Sequence, residues 1–221
     1  MIDFEALSKE SHATAVEKGW YEIKDEKIVQ RNVSEVCALF HSEVSEAVEE
    51  LRSPNCSEIR GIYFKDPKDG ATIVDDPTAF PSGPPTLLDG HMFKPEGVAV
   101  ELADLLIRMA DSAQAWDVAD LTVRPAELAE RSTPFHAYPE DTRVGDLAEL
   151  HKMVSNLYTR VSFRAHTGGA LRDIMVATDM DALLTWVVRF CLTYNLALER
   201  AIMLKMAYNK TRGWRHGNKK A

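Results

Sequence analysis

The sequence predicts an all-α protein: a bundle of four helices carrying a long proline-rich connection and a two-helix insertion. Three observations lead there. Residues 32–52, 95–117 and 192–212 repeat apolar side chains at the three- and four-residue spacing of amphipathic helices. Seven of the ten prolines fall within residues 53–95, which leaves the other stretches open to helix. The runs IRGIYF and ATIV are short and flank DPKDG, so they predict a small β-hairpin inside that connection. A length of 221 residues suits one core. Residues 1–221 therefore read as a single domain, with 53–95 as a loop insertion and 118–191 as a helical insertion.

In chain order, residues 3–18 form the first helix, with Phe4, Leu7, Ala13 and Val16 loosely periodic and Gly19 as its stop. Trp20 follows at once, either as a core plug or as a stacking platform. His12 on that helix reads as a hydrogen-bonded, partly buried histidine. The second helix opens near Asn32 or Ser34, with Ser34 as N-cap, and ends at Arg52 before Pro54. A connection as long as 53–95 is commonly functional, and it is placed over or beside the site. The third helix starts at Pro95-Glu96 and runs to about Asp117. Residues 121–144 are a connector with one short helical piece near 125–131. Helices near 145–163 and 179–191 add core or a subunit interface, and the last helix spans 192–212.

Two acidic pairs carry the chemistry. Glu43 and Glu46 lie three residues apart in the second helix, as do Glu101 and Asp104 in the third. That spacing puts each pair on one helix face. Val36, Phe40, Val44, Ala47 and Leu51 form an apolar stripe with Glu43 at its edge; Val98, Leu102, Leu105 and Met109 flank Glu101 and Asp104. Acids set beside an apolar face point toward a partner helix. Two such helices packed roughly 8–10 Å apart would gather four carboxylates. Four anions in a partly desolvated site need a counter-charge. A hard divalent cation, Mg²⁺ before others, supplies it. The opposing reading is a solvated charged face.

Charge and cysteine usage narrow the field. The net charge of −8 conceals an asymmetry: residues 200–221 hold seven Lys or Arg and no acid, leaving 19 basic against 34 acidic residues elsewhere. An acidic body is a poor binder of nucleic-acid polymers. No apolar run approaches the roughly 18 residues of a membrane span, and the N-terminal MIDFEALSKE has no signal-peptide pattern. Cys37, Cys56 and Cys191 form no CxxC pair, which fits reduced thiols in the cytoplasm and argues against zinc. On the last helix Lys205, Asn209 and Arg212 share one face, with Leu196, Met203, Met206 and Ala207 opposite. Beside a carboxylate cluster, that stripe is a candidate phosphate clamp.

Taken together, the ordered set E43-V-S-E46, E101-L-A-D104 and K205-M-A-Y-N209-K-T-R212 resembles the MazG-like all-α nucleoside triphosphate pyrophosphohydrolases, a superfamily that includes dCTP pyrophosphatases and dimeric dUTPases. The resemblance covers residues 1–52, 95–117 and 192–217, about half the chain; the 53–95 and 118–191 insertions depart from it. It implies a homo-oligomer, dimer or tetramer, acting on a nucleoside triphosphate with Mg²⁺, and with Mn²⁺ as a substitute. Glu43, Glu46, Glu101 and Asp104 would hold the metal. Glu46, ahead of Glu43, would activate water for attack at the α-phosphorus. Lys205, Lys210, Arg212 and Arg215 would face phosphate, Asn209 sugar or base, and His12 and Trp20 the base. Arg108, on the carboxylate face, would pair with Glu50 or touch phosphate.

Two other classes compete for the same residues. A di-iron bundle needs Glu-x-x-His on two helices. Neither acidic pair ends in His, and His41 lies about 160° from Glu43 around its helix. The remaining alternative is a non-catalytic helical protein that binds metal or nucleotide, or acts as an interaction module, with structural acids.

Overall fold

The computed structural model describes residues 2–52, 61–86, 90–118, 121, 142–167 and 170–214. Six helices dominate them: α1 (Phe4–Glu17), α2 (Val33–Arg52), α3 (Val98–Ala115), α4 (Thr142–Thr167), α5 (Ala170–Thr193) and α6 (Leu198–Thr211). The protein is mostly helical, with a minor antiparallel component. Strands β1 (Glu22–Lys24) and β2 (Lys27–Val29) form a hairpin; β3 (Tyr63–Lys65), β4 (Thr72–Val74) and β5 (Lys94–Glu96) form a sheet in the order β4-β3-β5.

Helix α3 is the axis of the molecule. Fourteen of its 18 residues are buried, because α1, α2 and α6 pack around it and α5 touches it as well. Its composition fits this position, since a helix apolar on nearly every side has to be enclosed. Helix α2 packs its stripe of Val36, Phe40, Val44 and Ala47 inward, while Leu51 stays half-buried. On its other side α2 meets α4, which pairs with α5. Helices α4 and α5 therefore add core, through Leu147, Leu150, Val154 and Leu157 of α4 and Val176, Met180, Leu183 and Leu184 of α5. None of the described helices is long and apolar enough to cross a membrane. Cys37 and Cys191 are free, buried thiols, and burial pushes Cys37 up to about 11, so it stays protonated and inert.

Several boundaries differ from the sequence reading, each for a local reason. Asn32, rather than Ser34, caps α2: its Oδ1 accepts from the Ser34 N–H at 2.8 Å. Pro95 does not open α3. It lies on edge strand β5 opposite Phe64, where a missing N–H is tolerated, and the helix begins only after Gly97. The expected hairpin forms as β3 and β4 around Asp66–Gly70, whereas β1–β2 was not foreseen. Its turn is Asp25-Glu26, both with positive φ, without the Asn-Gly that signals such turns. Helix α5 starts at Ala170, well before the expected 179, and the chain breaks at Asn195 (φ 53°) before α6. The expected helical piece near 125–131 lies outside the described residues.

Gly97 joins sheet to axis. Its φ of 120° and ψ of 160° suit glycine, and a Cβ there would sit 2.6 Å from the Gly61 carbonyl oxygen. Gly97→Ala is expected to destabilise the protein by about 2 kcal/mol or more, read from the midpoint of denaturant unfolding. An unchanged midpoint would mean that the sheet is not coupled to α3.

Candidate metal and ligand cleft

The first acidic pair is delivered by α2 and the second by α3, and the pairs face each other because the helices pack through the stripes beside them. Glu43 and Glu101 are buried at 3% and 1% exposure, and Asp104 is half-buried. Ligand atoms of Glu43, Glu101 and Asp104 lie within 4.8 Å of one another. Glu46 is not part of that trio: it lines the same cavity but its Oε1 accepts from Ser42 Oγ at 3.1 Å. One turn along α2 it stands at the lip, half-buried, instead of completing a four-carboxylate cage.

Cations close the cluster from two sides. Lys205 of α6, 2% exposed, places Nζ 2.7 Å from Asp104 Oδ2. Arg108 donates from Nε to Glu43 Oε1 at 2.6 Å. The expected Arg108–Glu50 pair does not form, since Glu50 accepts from the Tyr63 hydroxyl instead. Helix α6 also departs from its predicted faces. Lys205 lies inside with Leu204 and Met206, while Met203 is 37% exposed. Its inward arc is not purely apolar because the carboxylates give an ammonium a partner there.

Burial is the chief cause of the shifted acidities. It lifts Glu101 to about 9 and Glu43 to about 7; Lys205 and Arg108 oppose the shifts, respectively, and the neighbouring carboxylates add to them. Burial works against the Lys205 charge, yet Asp104 and Glu101 outweigh it and hold the ammonium above its ordinary range. Glu101 Oε2 is buried with no hydrogen-bond partner. An all-oxygen trio with one orphaned acceptor and repelling charges fits a hard divalent cation, with Glu43, Glu101 and Asp104 as the residues to hold it.

The cavity that Glu43 and Asp104 line, about 620 Å³, has the size of a small-molecule site, with Glu101 buried outside its wall. It is lined also by Lys94 and Glu35. An adjoining, more apolar lobe runs between α1, α2, α3 and α6, walled by Leu39, Phe40, Ile107 and Met206, with Asn209, Lys18 and Asp111 also lining it. Trp20, Arg31, Leu39, Asp104, Arg108 and Arg212 line both lobes, so the two form one cleft with a charged end and a more apolar end. Trp20 is set there by the end of α1. Gly19 takes φ 79° with its N–H on Val16 O, and the Trp20 N–H reaches Ala15 O. The Trp214 ring covers Gly19 so closely that any Cβ would collide with it.

Of the expected ligand-binding residues, Lys205, Asn209, Arg212 and Trp20 line the cleft. Lys210 does not. It pairs with Glu10 across the α1–α6 surface, one residue past the inward face of α6. His12 lies behind the wall, with Nδ1 2.8 Å from Asp111 Oδ1, an oxygen that also accepts from the Tyr21 hydroxyl. Arg215 lies outside the described residues.

Arg31, Lys94 and Asp111 were not singled out from sequence. Arg31 and Lys94 sit in irregular or strand segments where no periodicity marks a face; Asp111 is seven residues beyond Asp104, two turns along the same helix, a spacing that could have flagged it. The long connection reaches the site through Lys94. It is also pinned to α6 by Arg200, which forms a bidentate pair with Asp75 and donates to Phe80 O. No protein-family model, curated protein or solved structure matches this chain.

Proposed function

We propose that this protein hydrolyses a nucleoside triphosphate to the monophosphate and pyrophosphate with Mg²⁺, for which Mn²⁺ can substitute. The observation that carries the reading is the two-ended cleft. One end is lined by Glu43 and Asp104 among cations, with buried Glu101 beside them, and the other is a more apolar slot edged by Trp20 and Asn209. A molecule with a flat ring at one end and a metal-associated polyphosphate at the other fits both. The resemblance of the acidic pairs and of the Lys205–Arg212 stripe to the MazG-like pyrophosphohydrolases points the same way.

When bound, Mg²⁺ would neutralise phosphate charge and lower the pKa of a coordinated water. The chain's own residues divide the remaining work. Glu46, at the lip and outside the trio, takes the proton of the attacking water. The water oxygen bonds to the α-phosphorus, the bond from that phosphorus to the bridging oxygen breaks, and pyrophosphate leaves with the electron pair. Lys205, Arg108 and Arg212 face the charge that develops on the leaving group. Trp20 and Asn209 position the nucleoside.

A second reading has its own observation. Arg108 and Lys205 already neutralise Glu43 and Asp104 directly, so the acids could be a purely structural network in a binding or interaction protein. A screen of nucleoside triphosphates for Mg²⁺-dependent pyrophosphate release decides between them. Release from at least one substrate, lost in EDTA, is expected. No release, together with no calorimetric signal from Mg²⁺ plus a non-hydrolysable triphosphate, would leave the structural network.

A further inference from the structure

We infer that Arg31 holds the phosphate nearest the nucleoside, a contact that persists in the monophosphate product. This rests on the nucleotide reading above and extends it to a residue that the acidic and C-terminal motifs do not include.

Among the described residues, two buried side-chain atoms lack any hydrogen-bond partner: Arg31 Nε, in the wall of this cleft, and Glu101 Oε2, beneath it in the cluster with Glu43 and Asp104. They are chemically opposite. Glu101 Oε2 is a carboxyl oxygen with no partner, whereas Arg31 Nε is a cationic donor without an anion. Arg31 precedes α2 and lines both lobes, so it stands where they join.

Its guanidinium is held by aromatic faces rather than by acids. Cζ lies 5.8 Å from the centre of the Trp20 ring and 6.0 Å from that of Tyr21. Arg108 and Lys205 are committed to Glu43 and Asp104, but Arg31 takes part in no ion pair among the described residues. A buried donor left unmade is a standing cost that an anion would remove. The planar fork of Nε and a terminal nitrogen matches two oxygens of one phosphate. Because Trp20 belongs to the same wall, the phosphate reached this way is the one attached to the ring-bearing end of the ligand. After cleavage at the α-phosphorus, that phosphate stays with the nucleoside.

The test removes the metal altogether. In EDTA, the four 2′-deoxynucleoside 5′-monophosphates and their four nucleosides are titrated calorimetrically into wild type, Arg31→Ala and Arg31→Lys. At least one monophosphate should bind wild type about ten- to a hundredfold tighter than its own nucleoside. Arg31→Ala should erase that ratio while leaving nucleoside affinity in place, and Arg31→Lys should keep part of it.

A ratio that survives in Arg31→Ala overturns the assignment, as does a wild type with no phosphate advantage. Equal loss of nucleoside and monophosphate binding also overturns it, because Arg31 would then only brace the aromatic wall. Should Arg31→Ala lose its cooperative melt, Arg31→Gln, which keeps length without charge, is scored by the same ratio. Pyrophosphate release by wild type with Mg²⁺ is measured in parallel. Release with an unaltered ratio in the variants removes Arg31 alone; no release from any triphosphate removes the hydrolase reading, and the ratio alone then decides the Arg31 phosphate contact.

Discussion

Glu101→Gln is expected to abolish Mg²⁺-dependent turnover, by at least about a hundredfold, while leaving the fold intact. The side chain is 1% exposed and one of its oxygens has no partner. Burial, opposed by Lys205, holds its acidity at about 9, so in metal-free protein at neutral pH the group is a protonated acid. Glutamine is close to that species in shape and charge, which is why the metal-free variant should fold. It cannot become an anion, so it cannot serve a cation.

The same shift fixes the pH dependence. A carboxyl whose folded pKa lies above its unfolded value keeps a proton that the unfolded chain has already released. Stability is then fully present below the unfolded value of 4.5 and declines as pH rises toward 9 for Glu101 and toward 7 for Glu43. The slope is about 1.4 kcal/mol per pH unit per group. In EDTA, wild type should lose stability between pH 5 and 8, and Glu101→Gln should show a shallower decline. Added Mg²⁺ should raise the wild-type melting temperature more at pH 8 than at pH 6, since the cation needs the deprotonated trio. It should leave Glu101→Gln unmoved. A wild type indifferent to Mg²⁺ at pH 8 would reduce the trio to a structural cluster.

What was legible in the sequence follows from which interactions are periodic. Glu43, Glu101 and Asp104 could be placed together because each interrupts an apolar stripe, and helix geometry turns that interruption into a direction. Glu46 shares the helix but not the trio, since Ser42 one turn away takes its oxygen, and such rotamer competition leaves no trace in spacing. Lys210 was grouped with Lys205 by charge, although a shift of five positions along α6 turns it to Glu10. The hairpin around Asp66–Gly70 was visible from its turn sequence, but β5 was hidden because Pro95-Glu96 carries a helix-start signal. Arg31 was out of reach: its position depends on Trp20 and Tyr21, ten residues earlier, brought alongside by the β1–β2 turn.

Lys205→Met should destabilise the metal-free protein by about 3–5 kcal/mol, because it removes one partner of a buried ion pair and leaves the other unpaired. Lys205 is 2% exposed with Nζ 2.7 Å from Asp104 Oδ2, and methionine retains its length while deleting the charge. Denaturant unfolding in EDTA measures the loss. Asp104→Asn in the Lys205→Met background should restore part of it, since the two side chains act as one unit and their costs do not add. Mg²⁺ then separates a ligand site from a scaffold. If Glu43, Glu101 and Asp104 serve a cation, the variant lacking the ammonium should gain more stability from Mg²⁺ than wild type does, because the metal takes over a counter-charge that wild type already has. Turnover should still fall, by about a hundredfold, because Mg²⁺ in the trio does not replace a cation directed at phosphate. A Lys205→Met protein as stable as wild type, or one that Mg²⁺ does not stabilise, would mean that the ammonium is not the counter-ion of this cluster, and the charged end of the cleft would need a different explanation.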